Sequence, residues 1–184
     1  MVYNLVWKEG EILKSNLILV KLDPDYCNYL RKFDSKVPYN YNKKELRPFI
    51  GVLFEVNNFK YFAPLSSPKS KHLKLQNKID FLKIDNGKLG AINFNNMLPV
   101  CENNIIILDL DNKCVSLDEK KYNKLLKKQI YWLKRNDRLL CAMSRKLYDN
   151  YVTGTLNSKI AKRCCNFVLL EEKCCEYNNT WVRN

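Results

Sequence analysis

FIGVLFEVNNFKYFAPLSSPK, Phe49 to Lys69, consists of two apolar runs joined by Asn57-Asn58. Asparagine tolerates the left-handed backbone that a two-residue hairpin turn requires. The stretch therefore predicts antiparallel strands over Phe49–Val56 and Phe59–Leu65. The second strand runs out into Ser66-Ser67-Pro68-Lys69. These are ordinary loop residues, but Pro64 and Pro68 stiffen the chain on both sides of the serines and turn the hairpin end into a fixed ledge.

Working outward, Leu17–Leu22 reads as a strand that stops at Asp23-Pro24, an N-cap followed by a proline suited to the first helical position. Tyr26, Leu30 and Phe33 follow at helical spacing, then a polar loop from Asp34 to Arg47. On the other side, the basic stretch PKSKHLKLQNK reads as a loop. It leads to a second hairpin, Phe81–Ile84 and Leu89–Phe94, turning at Asp85-Asn86-Gly87. Asn104–Leu110 is a further strand.

Beyond it the period changes. Ser116 and Glu119 form a capping box, and Tyr122, Leu125, Leu126, Gln129, Ile130 and Leu133 recur with helical spacing. A second helix is expected from Asp137 to Tyr151, with Leu139, Leu140, Met143 and Leu147 inward and Gly154 ending it. Cys165–Glu172, CNFVLLEE, reads as a strand returning to the sheet. The pattern predicts an α+β fold, a compact, mostly antiparallel, barrel-like sheet with inserted helices. All of residues 1–184 are expected to form a single domain, and no internal repeat is present.

Thirty-two basic against 19 acidic residues give a net charge of +13. Such an excess calls for a polyanionic partner, since neutralising phosphates releases counterions. Eleven tyrosines and eight phenylalanines spread among the lysines suit base stacking better than lipid insertion. The longest apolar runs are strand-sized, and the N-terminus lacks the layout of a secretory signal. The expectation is a cytoplasmic protein with no membrane partner. Eight cysteines include no CxxC, and neighbours such as Cys164 and Cys165 would face opposite sides of a strand, so reduced thiols are expected rather than zinc or disulfides.

The chain carries no P-loop, GxGxxG, HExxH or nucleophile elbow, and its one histidine, His72, rules out a two-histidine ribonuclease. Asp109 and Asp111 come nearest to a carboxylate pair, but they read as strand-end residues. Neither a metal nor a cofactor is expected. What remains is a set of hydroxyls and cations: Ser66, Ser67 and Lys69 at the ledge, Arg47 before the first strand, and Lys127, Lys128 and Gln129 on a basic helix. That set suits RNA cleavage by the substrate's own 2′-hydroxyl, where the protein aligns the phosphodiester and stabilises the phosphorane charge. A lysine whose pKa is lowered by cationic neighbours would serve as general base.

Six stretches also resemble a known family: YLRKFDSKVP (Tyr29–Pro38), RPFIGVLFEV (Arg47–Val56), KYFAPLSSPK (Lys60–Lys69), LGAINFNNMLPV (Leu89–Val100), LLKKQIYWLKRN (Leu125–Asn136) and NFVLLEEK (Asn166–Lys173). In this order they resemble the endoribonuclease toxins of type III toxin–antitoxin systems, the ToxN/AbiQ family, with residues 1–16 lying beyond the family core. The resemblance implies a barrel-like fold akin to the Kid/MazF toxins. It also implies a sequence-selective RNase that leaves a 2′,3′-cyclic phosphate on single-stranded cellular or phage RNA. Its partner would be a small, repeat-encoded pseudoknot RNA antitoxin, which it processes and with which it forms a cyclic or higher-order assembly. Its role would be abortive infection of phage-infected cells.

By the same resemblance Ser67 and Lys69 match the central active-site motif, and Ser66 stands where threonine is common. Arg47 stands where some members have lysine, Lys128 and Gln129 match the family's KQ, and Lys127 stands where tyrosine can occur. Tyr41 is the nearest counterpart of a tyrosine upstream of Arg47. RNA-binding candidates are Tyr41, Lys43, Lys71, Lys120, Lys124, Lys127, Lys134 and Arg135. Of these, Lys120, Lys124, Lys127 and Lys134 recur on the solvent side of the helix, whereas Lys128, beside Gln129, is expected to face the scissile phosphate. The rival reading from another class is a non-catalytic basic RNA-binding module.

Overall fold

The computed structural model describes residues 16–39, 48–110 and 116–181. Its organising strand is β4 (Phe59–Ser66), which together with β3 (Glu55–Val56) forms the hairpin predicted from the sequence. Asn57 and Asn58 both have positive φ, +48° and +68°, as a two-residue turn demands. The expected strand Phe49–Val56 is broken in two. β2 (Phe49–Gly51) pairs with Ala63 and Pro64, whereas β3 pairs with Phe59 and Lys60. Between them the Leu53 N–H donates to the Tyr61 carbonyl, and Tyr61 N–H donates to the Phe54 carbonyl. The pairings on either side of Val52–Phe54 belong to different registers, so the chain bulges there.

β1 (Ile18–Leu22) lies between β2 and β8 (Ile105–Ile107). On its other side β4 pairs with β6 (Ala91–Asn93) and β7 (Leu98–Val100), and β6 pairs with β5 (Phe81–Lys83). The eight strands are antiparallel, with the path β5-β6-β4-β2-β1-β8. The sheet is open rather than barrel-like, because β5 and β8 sit at opposite ends of the path.

The helices are α1 (Pro24–Arg31), α2 (Ser70–Lys74), α3 (Leu117–Arg135), α4 (Asp137–Val152), α5 (Ser158–Ala161) and α6 (Phe167–Trp181). Asp23 caps α1 by accepting from the Tyr26 N–H at 2.8 Å, and Ser116 and Glu119 complete the expected capping box of α3. Two expectations about the helices fail here. The basic stretch after Pro68 is not all loop, since Ser70–Lys74 makes one helical turn. Leu139 of α4 is 46% exposed, and Ser144 and Tyr148 join Leu140 and Leu147 on the buried face instead.

The largest correction concerns Cys165–Glu172, which is helix rather than strand. Phe167, Leu170, Glu171 and Cys174 are buried at helical spacing, and the Asn166 side chain accepts from the Leu169 N–H in the manner of an N-cap. The stripe becomes visible only when the reading continues past Glu172. With a helix packed on β7 where a strand was expected, the apolar face is covered without closure of the sheet.

A buried polar cluster ties these layers together. Tyr61 of β4 and Tyr148 of α4 both donate to Glu171 Oε1 of α6, at 2.7 and 2.8 Å. Cys164 and Cys165 are both buried rather than split between two faces, and Cys101 and Cys174 place their sulfurs 3.5 Å apart. The hydrogen bond between the two thiols pushes the Cys101 pKa down and the Cys174 pKa up. Cys114 lies outside the described residues.

Candidate active site and nucleic-acid interface

Ser66 is the last residue of β4, opposite Ala91 of β6. Its hydroxyl oxygen accepts a hydrogen bond from Asn93 Nδ2 at 2.8 Å, which leaves the hydroxyl proton to be donated elsewhere. Ser67, Pro68 and Lys69 continue as exposed, irregular chain. The Lys69 carbonyl then accepts from the His72 N–H at 2.8 Å, turning the chain into α2. His72 is buried against Phe81, ring centroids 6.0 Å apart. Burial lowers its pKa, helped by the neighbouring charges of Lys69 and Lys71, which favours the neutral ring.

The segment Leu89-Gly90 supports the ledge from behind. Gly90 has φ +102°, and a Cβ there would lie 1.9 Å from the Ser66 carbonyl oxygen. Only glycine lets the two backbones meet this closely. The carbonyl of Leu89 accepts from Gln129 Nε2 at 2.7 Å. Gln129, 1% exposed, thus locks α3 to the loop that backs Ser66.

Between α3 and the loop joining β5 to β6 runs an open groove of about 620 Å³. Lys124, Lys127 and Lys128 line it from the helix, followed by Tyr131 and Trp132; Asp85 and Leu89 line it from the loop. Lys128 is therefore not set apart from Lys124 and Lys127, since all three face one groove. Lys120, Lys134 and Arg135 are exposed on α3, and Lys71 is exposed on α2. The Arg135 guanidinium donates to the Tyr131 hydroxyl at 3.1 Å and lies over its ring.

The structure thus joins the Ser66–Lys69 ledge to the basic helix through Gly90, Leu89 and Gln129. Arg47, Tyr41 and Lys43 lie outside the described residues, as does Asp111. Among the described residues, no group of three His, Cys, Asp or Glu side chains is placed to hold a metal ion. Asn93, Gly90 and Asp85 were missed from sequence. Asn93 reaches Ser66 only because of the register between β6 and β4, which the sequence alone does not specify.

A family model described as Toxin ToxN, type III toxin-antitoxin system, matches residues 18–175. The chain belongs to the ToxN family. It is 34% identical to Endoribonuclease ToxN of Bacillus thuringiensis subsp. kurstaki over 168 residues, 89% of this chain and 86% of that one. A solved structure from work on selective toxin inhibition by a non-coding RNA pseudoknot in type III systems matches with a TM-score of 0.75 and 34% identity, covering 89% of this chain and 98% of that one. The structure of AbiQ, a lactococcal anti-phage endoribonuclease of the type III class, matches with a TM-score of 0.77 and 29% identity, over 89% and 98% of the two chains. Within this ToxN-family chain no described helix is long and apolar enough to cross a membrane.

Proposed function

We propose that this endoribonuclease toxin cleaves single-stranded RNA at selected sequences without a metal, by attack of the substrate's 2′-hydroxyl on the adjacent phosphate. The bond to the 5′-oxygen breaks, leaving a 2′,3′-cyclic phosphate and a 5′-hydroxyl. The observation that carries this reading is the ledge Ser66–Lys69, braced by Gly90 and tied through Gln129 to a lysine-lined groove. Because Ser66 Oγ already accepts from Asn93, its proton is directed at a non-bridging phosphate oxygen. Ser67 supplies a second hydroxyl and Lys69 an ammonium to the same developing charge. Lys128, adjacent to the Gln129 anchor, adds a cation from the helix side, and Arg47 contributes another. Gln129 acts by position, since its amide nitrogen is committed to Leu89.

Lys71, Lys120, Lys124, Lys127, Lys134 and Arg135, with Tyr41 and Lys43, hold the RNA by its backbone. The antitoxin is a repeat-encoded pseudoknot RNA that occupies this surface, is processed by it and assembles with the toxin into a cyclic or higher-order complex. The setting is the cytoplasm, where release of the single-domain toxin aborts phage infection.

The test is incubation of the purified protein with a long single-stranded RNA in excess EDTA, followed by analysis of product ends. Cyclic phosphate and 5′-hydroxyl ends support the mechanism. Activity lost in EDTA and restored by magnesium or zinc overturns it, and binding without turnover makes the chain an RNA-binding module instead.

A further inference from the structure

The groove beside the ledge contains one residue that phosphate binding does not explain. Asp85 lines a cavity whose helix side carries Lys124, Lys127 and Lys128, and a carboxylate there repels the RNA backbone that the lysines attract. Among the described residues no salt bridge or side-chain hydrogen bond involves it. Its backbone is held at φ +46° with Asn86 next at +52°, a conformation that non-glycine residues adopt at some cost. Across from it Tyr131 is 64% exposed, steadied by Arg135, and Trp132 and Leu89 complete an aromatic and apolar surface.

We propose that this part of the groove is a base-reading subsite, in which one unpaired guanine of the RNA lies against Tyr131 and Trp132 and is read by the Asp85 carboxylate. The proposal rests on the RNA-cleaving function above and adds a specificity determinant to it. A flat aromatic surface accepts any base by stacking, so discrimination must come from polar groups. A carboxylate offers only acceptors. Guanine alone presents two adjacent donors, N1–H and the N2 amine, on its Watson–Crick edge. Adenine and cytosine set an acceptor beside their amine, and uracil flanks its N–H with two carbonyls, so each puts a lone pair against a carboxylate oxygen. The lysines hold the flanking phosphates while Asp85 reads the base between them, a division of labour usual in nucleic-acid recognition.

The test measures binding of short 2′-fluoro oligouridines, which cannot be cleaved, carrying one central guanosine, inosine, adenosine, cytidine or uridine. The guanosine oligomer should bind about tenfold more tightly than the uridine one, with inosine, lacking the N2 amine, in between. Asp85→Asn suits the positive φ and keeps the loop intact, yet it replaces one acceptor by a donor. In that variant the guanosine advantage should vanish, with adenosine gaining relative to guanosine. Lys124→Ala should weaken all oligomers alike and leave the ranking unchanged. Equal binding of all bases by the wild type, or a guanosine preference that survives Asp85→Asn, overturns the proposal. Cleavage of long RNA in EDTA, measured on the same preparation, reports separately on the nuclease function.

Discussion

Near the start of β4, the Tyr61 side chain is fully buried and its hydroxyl meets Glu171, which also accepts from Tyr148. At the far end of the same strand, Ser66 is half-buried and Ser67 and Lys69 are exposed. The first end has its polar groups satisfied internally, by residues from two helices. The second end presents the Ser67 and Lys69 side chains, which are exposed, on backbone pinned by β6 and Gly90. Burial at one end and bracing at the other allow a short loop to hold a fixed geometry without a core of its own. A polar residue therefore serves stability at Tyr61 and, under the proposed mechanism, chemistry at Ser67.

The sharpest way to break this comparison is Ser67→Ala. Cleavage should fall by about 10²–10³-fold, the loss typical of one donor to a developing oxyanion, while the melting temperature stays within a degree or two of the wild type. Lys69→Ala should behave in the same way. An active, well-folded Ser67→Ala protein would remove this serine from the mechanism.

Glu171→Ala should do the reverse. It leaves two buried phenols unpaired and opens space among β4, α4 and α6, costing about 3 kcal/mol of stability. Cleavage per folded molecule should be preserved at temperatures below the transition. Denaturant unfolding and single-turnover cleavage, measured together, separate the two ends.

A smaller effect sharpens the contrast within the groove. Lys124→Ala should weaken RNA binding several-fold and reduce the slope of log affinity against log salt by somewhat under one unit, with little change in the saturated cleavage rate. Lys128→Ala should chiefly slow that saturated rate. If both substitutions alter affinity alone, the helix only binds.

The smallest expected effect is on pH dependence. His72 has its pKa lowered in the folded state by burial and by Lys69 and Lys71, below the ordinary value of 6.5. The unfolded chain therefore binds this proton more readily. Stability from the neutral ring is fully present above pH 6.5 and is lost as pH falls through the folded value. Melting temperatures measured from pH 8 to pH 5 should decline less for His72→Phe than for the wild type. A parallel decline would mean that other groups carry the acid sensitivity.

Short-range chemistry made much of this molecule legible in its sequence. Asn57-Asn58 specified a hairpin because few other residues accept two successive positive φ angles. Asp23-Pro24 and the Ser116–Glu119 box marked helix starts through hydrogen bonds spanning three residues. Ser66–Lys69 stood out as one contiguous stretch, but the helical spacing had set Lys128 apart from Lys124 and Lys127, and only the structure showed all three lining one groove. CNFVLLEE was misread because a short apolar run looks alike in a strand and in a buried helix, and its helical stripe is completed only at Cys174. Whether the sheet closed depended on what covered its apolar face, which no local pattern records. The junction of Gln129, Leu89, Gly90 and Ser66, the Asn93 bond to Ser66, and the placement of Asp85 across from Tyr131 and Trp132 were likewise decided by tertiary structure. Each depends on strand register or helix docking between segments far apart in the chain, and those are set by how the whole core packs rather than by any neighbouring residue.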